Sequence, residues 1–193
     1  QQVTPLPISI GIIIICVIVF LLNNISAQLA LWPLDSNYFQ PWQVISYGFL
    51  HGSFNHLFFN MFALWMFGLP IEKAWGSRKF AQYYFTCILG AGLIQLLVQH
   101  LSGDIYPTIG ASGAVFGLLL AYGVTWPNAK LLLIFFPVPI KAKWFVLIYG
   151  AAELVFGVTG AMPQVAHYAH LGGLFFGAGI LWRWGWRPGM TWN

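Results

Sequence analysis

The sequence predicts an all-α polytopic membrane protein, a bundle of six transmembrane helices with both termini cytoplasmic. Three observations lead there. Hydrophobic residues make up 59% of the chain and charged residues only 6%, whereas soluble domains carry about 25% charged residues because their surfaces face water. Six apolar runs approach, some with help from their flanks, the roughly 20 residues a helix needs to cross a bilayer core of about 30 Å. Every Lys and Arg falls on one side of the arrangement those runs define. At 193 residues the chain has the length of one domain, so a single bundle over 1–193 is expected rather than two modules.

The first span, about 8–24, contains the run Ile12-Ile13-Ile14-Ile15. It lacks the basic leader and cleavage site of a signal peptide, while the start at Gln1 rather than Met fits a trimmed leading segment. The second span runs about 54–71, the third 80–101, the fourth 112–126, the fifth 144–158 and the sixth 165–184. Lipid offers no partner to unpaired backbone groups, so these spans are helices and not open strands. Residues 25–53 form a long outer loop with Trp32, Pro33, Tyr38, Phe39, Pro41 and Trp42. That loop is too apolar for a solvated linker and suits the outer interface, where aromatic rings anchor. Residues 127–143 form an inner loop in which Pro137 and Pro139 break helix, so an interfacial turn is expected there. A short outer turn at 160–164 precedes the last span. Cys16 and Cys87 lie in apolar runs without CxxC spacing and read as packing residues, silent about compartment.

Orientation follows from charge. Lys73, Arg78 and Lys79 lie between spans two and three, Lys130, Lys141 and Lys143 between spans four and five, and Arg183 and Arg187 after span six. The opposite loops hold Asp35 and Asp104 and no basic residue. The basic side is therefore cytoplasmic, which predicts a multi-pass protein of the cell (inner) membrane. The eight basic residues are too scattered for a nucleic-acid footprint, so the bilayer, and no nucleic acid, is the expected partner.

With that topology, spans two, four and six start at the outer face. Span two opens with His56 and Asn60, one turn apart; span four opens with Gly110-Ala111-Ser112-Gly113; span six opens with His167-Tyr168-Ala169-His170. Polar groups from three helices thus share one depth, and polar residues within a membrane face an interior or a wet cavity. The set fits acyl transfer. A serine needs an adjacent base to become a nucleophile, and a helix start supplies free N–H groups to a developing oxyanion. Gly113 and Gly117 on span four, and Gly173 and Gly177 on span six, form small-residue stripes that let two helices pack closely. That approach would bring Ser112 within reach of His170.

These residues carry a resemblance. Gly110-Ala111-Ser112-Gly113 resembles the GxSG motif of the rhomboid intramembrane proteases. Ala169-His170-Leu171-Gly172-Gly173 with Gly177 resembles their AHxxGxxxG motif, and His56-Leu57-Phe58-Phe59-Asn60 their HxxxN motif. The resemblance spans nearly the whole chain, as a six-helix core. It implies a Ser112–His170 dyad with no third acid, and an oxyanion site made by His56, Asn60 and the Ser112 N–H. It further implies no cofactor, no metal, and cleavage of transmembrane protein substrates near the outer, extracytoplasmic face. Glu72 and Gly76 resemble structural positions of the family on the cytoplasmic side. Two departures stand out. Trp42 is followed by Gln43 where many rhomboids have Arg, which predicts a different anchoring of the outer loop. Phe116 stands four residues after Ser112 where a Tyr commonly stacks on the catalytic His, which keeps the stack and loses a hydroxyl.

Other readings compete. Ser112 alone would be read as a helix N-cap and His170 alone as a packing histidine, and His167, three residues earlier, is a rival base. His51 and His100 read as interface residues without a chemical role. Glu153 in span five counts to a depth below the dyad and is left out of the site. A protein that binds metal through its five outer-side histidines, or a transporter, is the main alternative from another class. Against it stand the lack of HExxH and the apparent lack of a nearby acidic ligand. A non-catalytic relative that binds membrane helices is the third reading.

Overall fold

The computed structural model describes residues 5–22, 26–133, 136–160, 165–187 and 190; residues 23–24 of the first predicted span and 161–164 of the predicted outer turn lie outside them. Six principal helices appear among the described residues: α1 (Ile8–Leu22), α2 (Phe54–Trp75), α3 (Ser77–Ser102), α4 (Ser112–Thr125), α5 (Ala142–Thr159) and α6 (His167–Arg183). They coincide with the six predicted runs to within a few residues at each end. Of these, α2, α3 and α5 are long and apolar enough to cross a membrane, and α1 and α4 are shorter apolar helices. Large apolar side chains such as Leu21, Leu147, Ile148, Val158, Phe175 and Trp182 point outward, as expected where the solvent is hydrocarbon.

The bundle is centred on α4, held between α3, α5 and α6. Its contact with α6 is made by backbone. A Cβ on Gly173 would collide with the carbonyl oxygen of Gly113, and one on Gly117 with Cys87 of α3, with the Gly173 carbonyl oxygen only 3.2 Å away. On α3 the same closeness recurs, since a Cβ on Gly172 would lie 3.0 Å from both Ala91 Cα and the Gly90 carbonyl oxygen. The predicted glycine stripes therefore do meet, and α3 completes the seam. Tyr83 closes it by donating its hydroxyl to the Gly117 carbonyl at 2.7 Å.

Within α2 a π-helical turn covers Leu64–Gly68, directly before Pro70. Pro70 has no N–H for the Met66 carbonyl and its ring clashes with an ordinary helical turn, so a widened turn absorbs the mismatch. The helix ends at Gly76, whose φ of +80° is left-handed backbone that favours glycine. Below the break sits Glu72, which is buried. Its carboxylate accepts from Ile8 N–H (2.7 Å), Ser9 N–H (2.8 Å), Ser9 Oγ (2.6 Å) and Ser77 Oγ (2.6 Å). One side chain thus caps the start of α1, favoured both by the free N–H groups and by the helix dipole, and pins the start of α3.

At the other end, the loop between α1 and α2 folds back on the chain before α4. Leu31 and Thr108 exchange two backbone hydrogen bonds (3.0 and 2.8 Å), and Gly110 N–H donates to the Tyr47 carbonyl (3.0 Å). The anchor is Gln43, 1% exposed. Its Oε1 accepts from Trp32 N–H and Gln40 N–H, and its amide donates to the Gln28 and Tyr38 carbonyls. The departure at this position therefore changes the anchor without removing it. Trp42 and Tyr38 remain exposed on the loop surface, as its aromatic content predicts. The inner loop between α4 and α5 is more ordered than a simple turn. It contains an antiparallel two-stranded ribbon, β1 (Lys130–Leu133) and β2 (Phe136–Lys141), because Pro137 and Pro139 exclude helix while alternate residues still pair.

Removing the Glu72 carboxylate strands four donors, so Glu72→Ala is expected to lower stability by about 3 kcal/mol. Gly76→Ala, which forces a side chain into left-handed backbone, is expected to cost about 1 kcal/mol. Thermal unfolding in detergent checks both; equal melting of Glu72→Ala and the parent would reject the capping role.

Candidate active site

Three helix starts build the site. The chain enters α4 through Gly110, whose φ of +123° only glycine adopts readily. A Cβ there would stand 2.7 Å from His56 Nε2 and 3.7 Å from Ser112 Oγ. The imidazole from α2 and the hydroxyl from α4 therefore face the same small space. Ala111 occupies the N-cap position and Ser112 is the first helical residue. The hydroxyl is thus not consumed in capping, and the backbone N–H of Ser112 has no carbonyl one turn back to meet.

From α6, His170 Nε2 lies 2.8 Å from Ser112 Oγ, a full hydrogen bond. The ring is stacked on Phe116, with centroids 4.3 Å apart and planes 12° from parallel. Phe116 stacks in turn on Tyr149 of α5, 5.2 Å away and also at 12°. The stack survives the Tyr-to-Phe departure because it needs only an aromatic face. His170 is buried, so the ring is fixed in plane on one side and by Ser112 at its edge.

The other two predicted residues are placed differently. His56 Nδ1 accepts from Gly52 N–H at 3.4 Å, which leaves the ring proton on Nε2, the nitrogen facing Gly110. Asn60 is buried, and its amide donates to the His56 carbonyl at 2.9 Å, leaving its second N–H uncommitted by that bond. Ser53 Oγ accepts from His56 N–H at 3.1 Å and caps the helix. His56 is thus braced from three directions.

Two residues set aside from the sequence belong to the neighbourhood. His51, expected at the interface, is buried and packs edge-on against His56, with centroids 4.9 Å apart. The outer loop folds inward over the 106–111 segment, where a Cβ on Gly52 would lie 3.3 Å from Ile109, and this carries His51 beneath the surface. His100, in contrast, is exposed and pairs with Asp35 at 2.7 Å, tying α3 to the outer loop.

Glu153 is the larger correction. Its Oε2 lies 2.6 Å from His167 Nδ1 and 3.0 Å from His170 Nδ1, and all three residues are buried. The depth count placed it below the dyad, but axial register is set by contact. A Cβ on Gly157 would touch His167 and Tyr168, and one on Gly150 would touch Leu174, each at 3.4 Å. In an antiparallel pair that register brings Glu153 level with His170. Of the two histidines, His170 is the one that meets Ser112, while the Nδ1 of His167 is committed to Glu153. The three side chains offer ligand atoms within 4.8 Å of one another, so the sequence argument against metal chemistry, the lack of an acidic ligand, does not hold for this pocket.

The chain matches the Rhomboid domain family over residues 38–187. It is 34% identical over 143 residues to the mitochondrial rhomboid protein 1 of Saccharomyces cerevisiae, covering 73% of this chain and 40% of that protein. It is 31% identical over 183 residues to rhomboid protease GlpG of Serratia proteamaculans, covering 89% and 60%. The mitochondrial presenilin-associated rhomboid-like protein of Rattus norvegicus is 30% identical over 129 residues, covering 67% and 34%. The chain thus spans between about a third and three-fifths of these relatives' own length.

The burial of His51 generates a pH prediction. Desolvation, aided by the neighbouring His56, pushes its pKa down from 6.5 to about 4. Between those values the unfolded chain binds the proton and the folded chain does not, so stability falls as pH drops from about 6.5 toward 4. The stability of the parent is expected to decline by a few kcal/mol over that window, and His51→Gln to decline less. Melting curves in detergent across pH 4–7 check this; parallel declines in the two proteins would reject it.

Proposed function

We propose an activity for this chain, which belongs to the rhomboid family: it is an intramembrane serine endopeptidase that hydrolyses peptide bonds in or near the transmembrane segments of other membrane proteins. The observation that carries the reading is the 2.8 Å bond between His170 Nε2 and Ser112 Oγ, made at the start of a helix. Family membership and the apolar helices support a multi-pass membrane protein. We extend this to six spans in one domain over 1–193, with both termini cytoplasmic and the site toward the extracytoplasmic face of the cell membrane.

Depth follows from helix length. The 14 residues of α4 rise about 21 Å, short of a core of about 30 Å. With its inner end at the cytoplasmic interface, α4 starts several ångströms below the outer one. Ser112 therefore meets a substrate helix inside the membrane, and water reaches it from the outer side.

The steps use the residues in place. Ser112 Oγ attacks the scissile carbonyl while its proton passes to His170 Nε2. The tetrahedral oxyanion is held by Ser112 N–H, by His56 Nε2–H and by the free N–H of Asn60. His170 then protonates the leaving amine as the C–N bond breaks, and water repeats the sequence on the acyl-enzyme. Phe116 keeps the His170 ring in plane throughout. Substrate approaches past α2 or α5, and α5 is the more weakly held, being much less buried against the bundle than α2.

Labelling by a fluorophosphonate in detergent, and cleavage of a reconstituted transmembrane substrate, test the proposal. Both are expected to vanish in Ser112→Ala and His170→Ala and to be unaffected by chelators. His56→Ala is expected to fold and lose about 10²–10³-fold in kcat, the typical effect of one oxyanion donor. A folded parent that neither labels nor cleaves would sink the protease reading in favour of a helix-binding relative. Loss of activity on chelation would point to the metal-binding reading.

A further inference from the structure

We propose that Glu153 is a positioning residue for the reaction, so that Ser112, His170 and Glu153 act as a triad, with His167 holding the carboxylate in place. The inference rests on the protease reading above and extends it beyond a dyad.

His170 serves as a base through Nε2, the nitrogen that meets Ser112 Oγ. A neutral imidazole with a free Nε2 carries its proton on Nδ1, and a buried N–H without an acceptor costs about 1–3 kcal/mol. The group next to Nδ1 is the Glu153 carboxylate, at 3.0 Å. When His170 takes the Ser112 proton it becomes a cation in a buried pocket. A carboxylate at that distance stabilises the cation and fixes the tautomer without receiving the proton itself. The proton balance is complete: it leaves Oγ as the Oγ–C bond forms, rests on Nε2, and departs with the amine, while Nδ1–H stays on the ring.

His167 has a distinct part. Its Nδ1 lies 2.6 Å from the same oxygen, Oε2, in an aligned hydrogen bond. The approach of His170 Nδ1 to Oε2 is bent away from the ring N–H direction. The resting carboxylate is therefore anchored by His167 and turned only partly toward His170. A small rotation of its terminal torsion, which is broad and soft, aligns it with His170 once the ring is charged. Catalytic hydrogen bonds are often poorly aligned in the unliganded state and tighten in the complex.

The same three side chains form the metal-competent cluster, and the distances favour a proton over an ion. Donor atoms bound tetrahedrally to zinc at about 2.0–2.2 Å stand roughly 3.3–3.6 Å apart. Separations of 2.6 and 3.0 Å are shorter than that spacing, and the 2.6 Å contact from His167 is a hydrogen bond. Phe116, backed by Tyr149, covers one face of the His170 ring, and the Glu153 carboxylate is the anionic group beside its Nδ1.

Steady-state cleavage of a fluorogenic transmembrane peptide by the detergent-solubilised full chain tests the triad. Ser112→Ala and His170→Ala set the zero. Glu153→Gln, nearly isosteric but uncharged, is expected to lower kcat by about 10²-fold or more with KM within about threefold, and Glu153→Asp to recover part of that loss. His167→Ala is expected to lower kcat by roughly tenfold, because the carboxylate loses its anchor. A folded Glu153→Gln with kcat within threefold of the parent, beside inactive Ser112→Ala and His170→Ala, overturns the triad and leaves the protease reading standing. Should Glu153→Gln not fold, Glu153→Ala decides. Recovery of kcat on adding formate but not chloride supports the positioning role, and a folded Glu153→Ala that formate does not revive overturns it. A parent that neither cleaves nor labels removes the protease reading itself, and the triad with it.

Discussion

The site depends on one contact, the backbone-to-backbone seam between Gly113 on α4 and Gly173 on α6. Ser112 and His170 lie immediately beside it, one residue before Gly113 and three before Gly173. A hydrogen bond of 2.8 Å between side chains of two helices demands that the helix axes come closer than ordinary side chains allow. In lipid no hydrophobic force presses helices together, so close packing and hydrogen bonds must do it. The glycines supply the first and Tyr83, bonded to the Gly117 carbonyl, supplies the second. Any side chain at Gly173 would drive α6 off α4 and separate Ser112 from His170.

Polar side chains at the two ends serve that seam. Glu72 caps α1 and pins α3 at one end, and Gln43 gathers four backbone groups of the loop at the other. Both are buried and meet several partners, the condition under which a polar group inside a low-dielectric structure stabilises instead of costing free energy. Gln43 matters to the site indirectly. The loop it organises carries Tyr47, whose carbonyl holds Gly110 in the left-handed turn before Ser112.

Helix α5 stands apart from this rigid centre. It is the most weakly buried of the three long apolar helices, yet it carries Glu153 and Tyr149, both of which bear on the His170 surroundings. Movement of α5 away from the bundle would withdraw the carboxylate and uncover the Phe116 stack together. The exposure of α5 and the surroundings of His170 are therefore geometrically coupled through one helix.

By itself the sequence determined the six apolar runs and the helix starts that carry Ser112, His170, His56 and Asn60. These are local properties: bilayer thickness sets run length, and i, i+4 spacing sets the helical face. The glycine stripes were legible for the same reason, since spacing along one helix tells which residues can meet a neighbour. The π turn before Pro70, the burial of His51 and the anchoring by Gln43 were decided only in three dimensions. So was the level of Glu153. Each depends on where one segment stands relative to another far away in the chain. For Glu153 that relation is the axial register of α5 against α6, set by Gly150 and Gly157 packing against Leu174, His167 and Tyr168. A count of residues along α5 carries no information about that register, which is why the acid beside His170 emerged only from the packed structure.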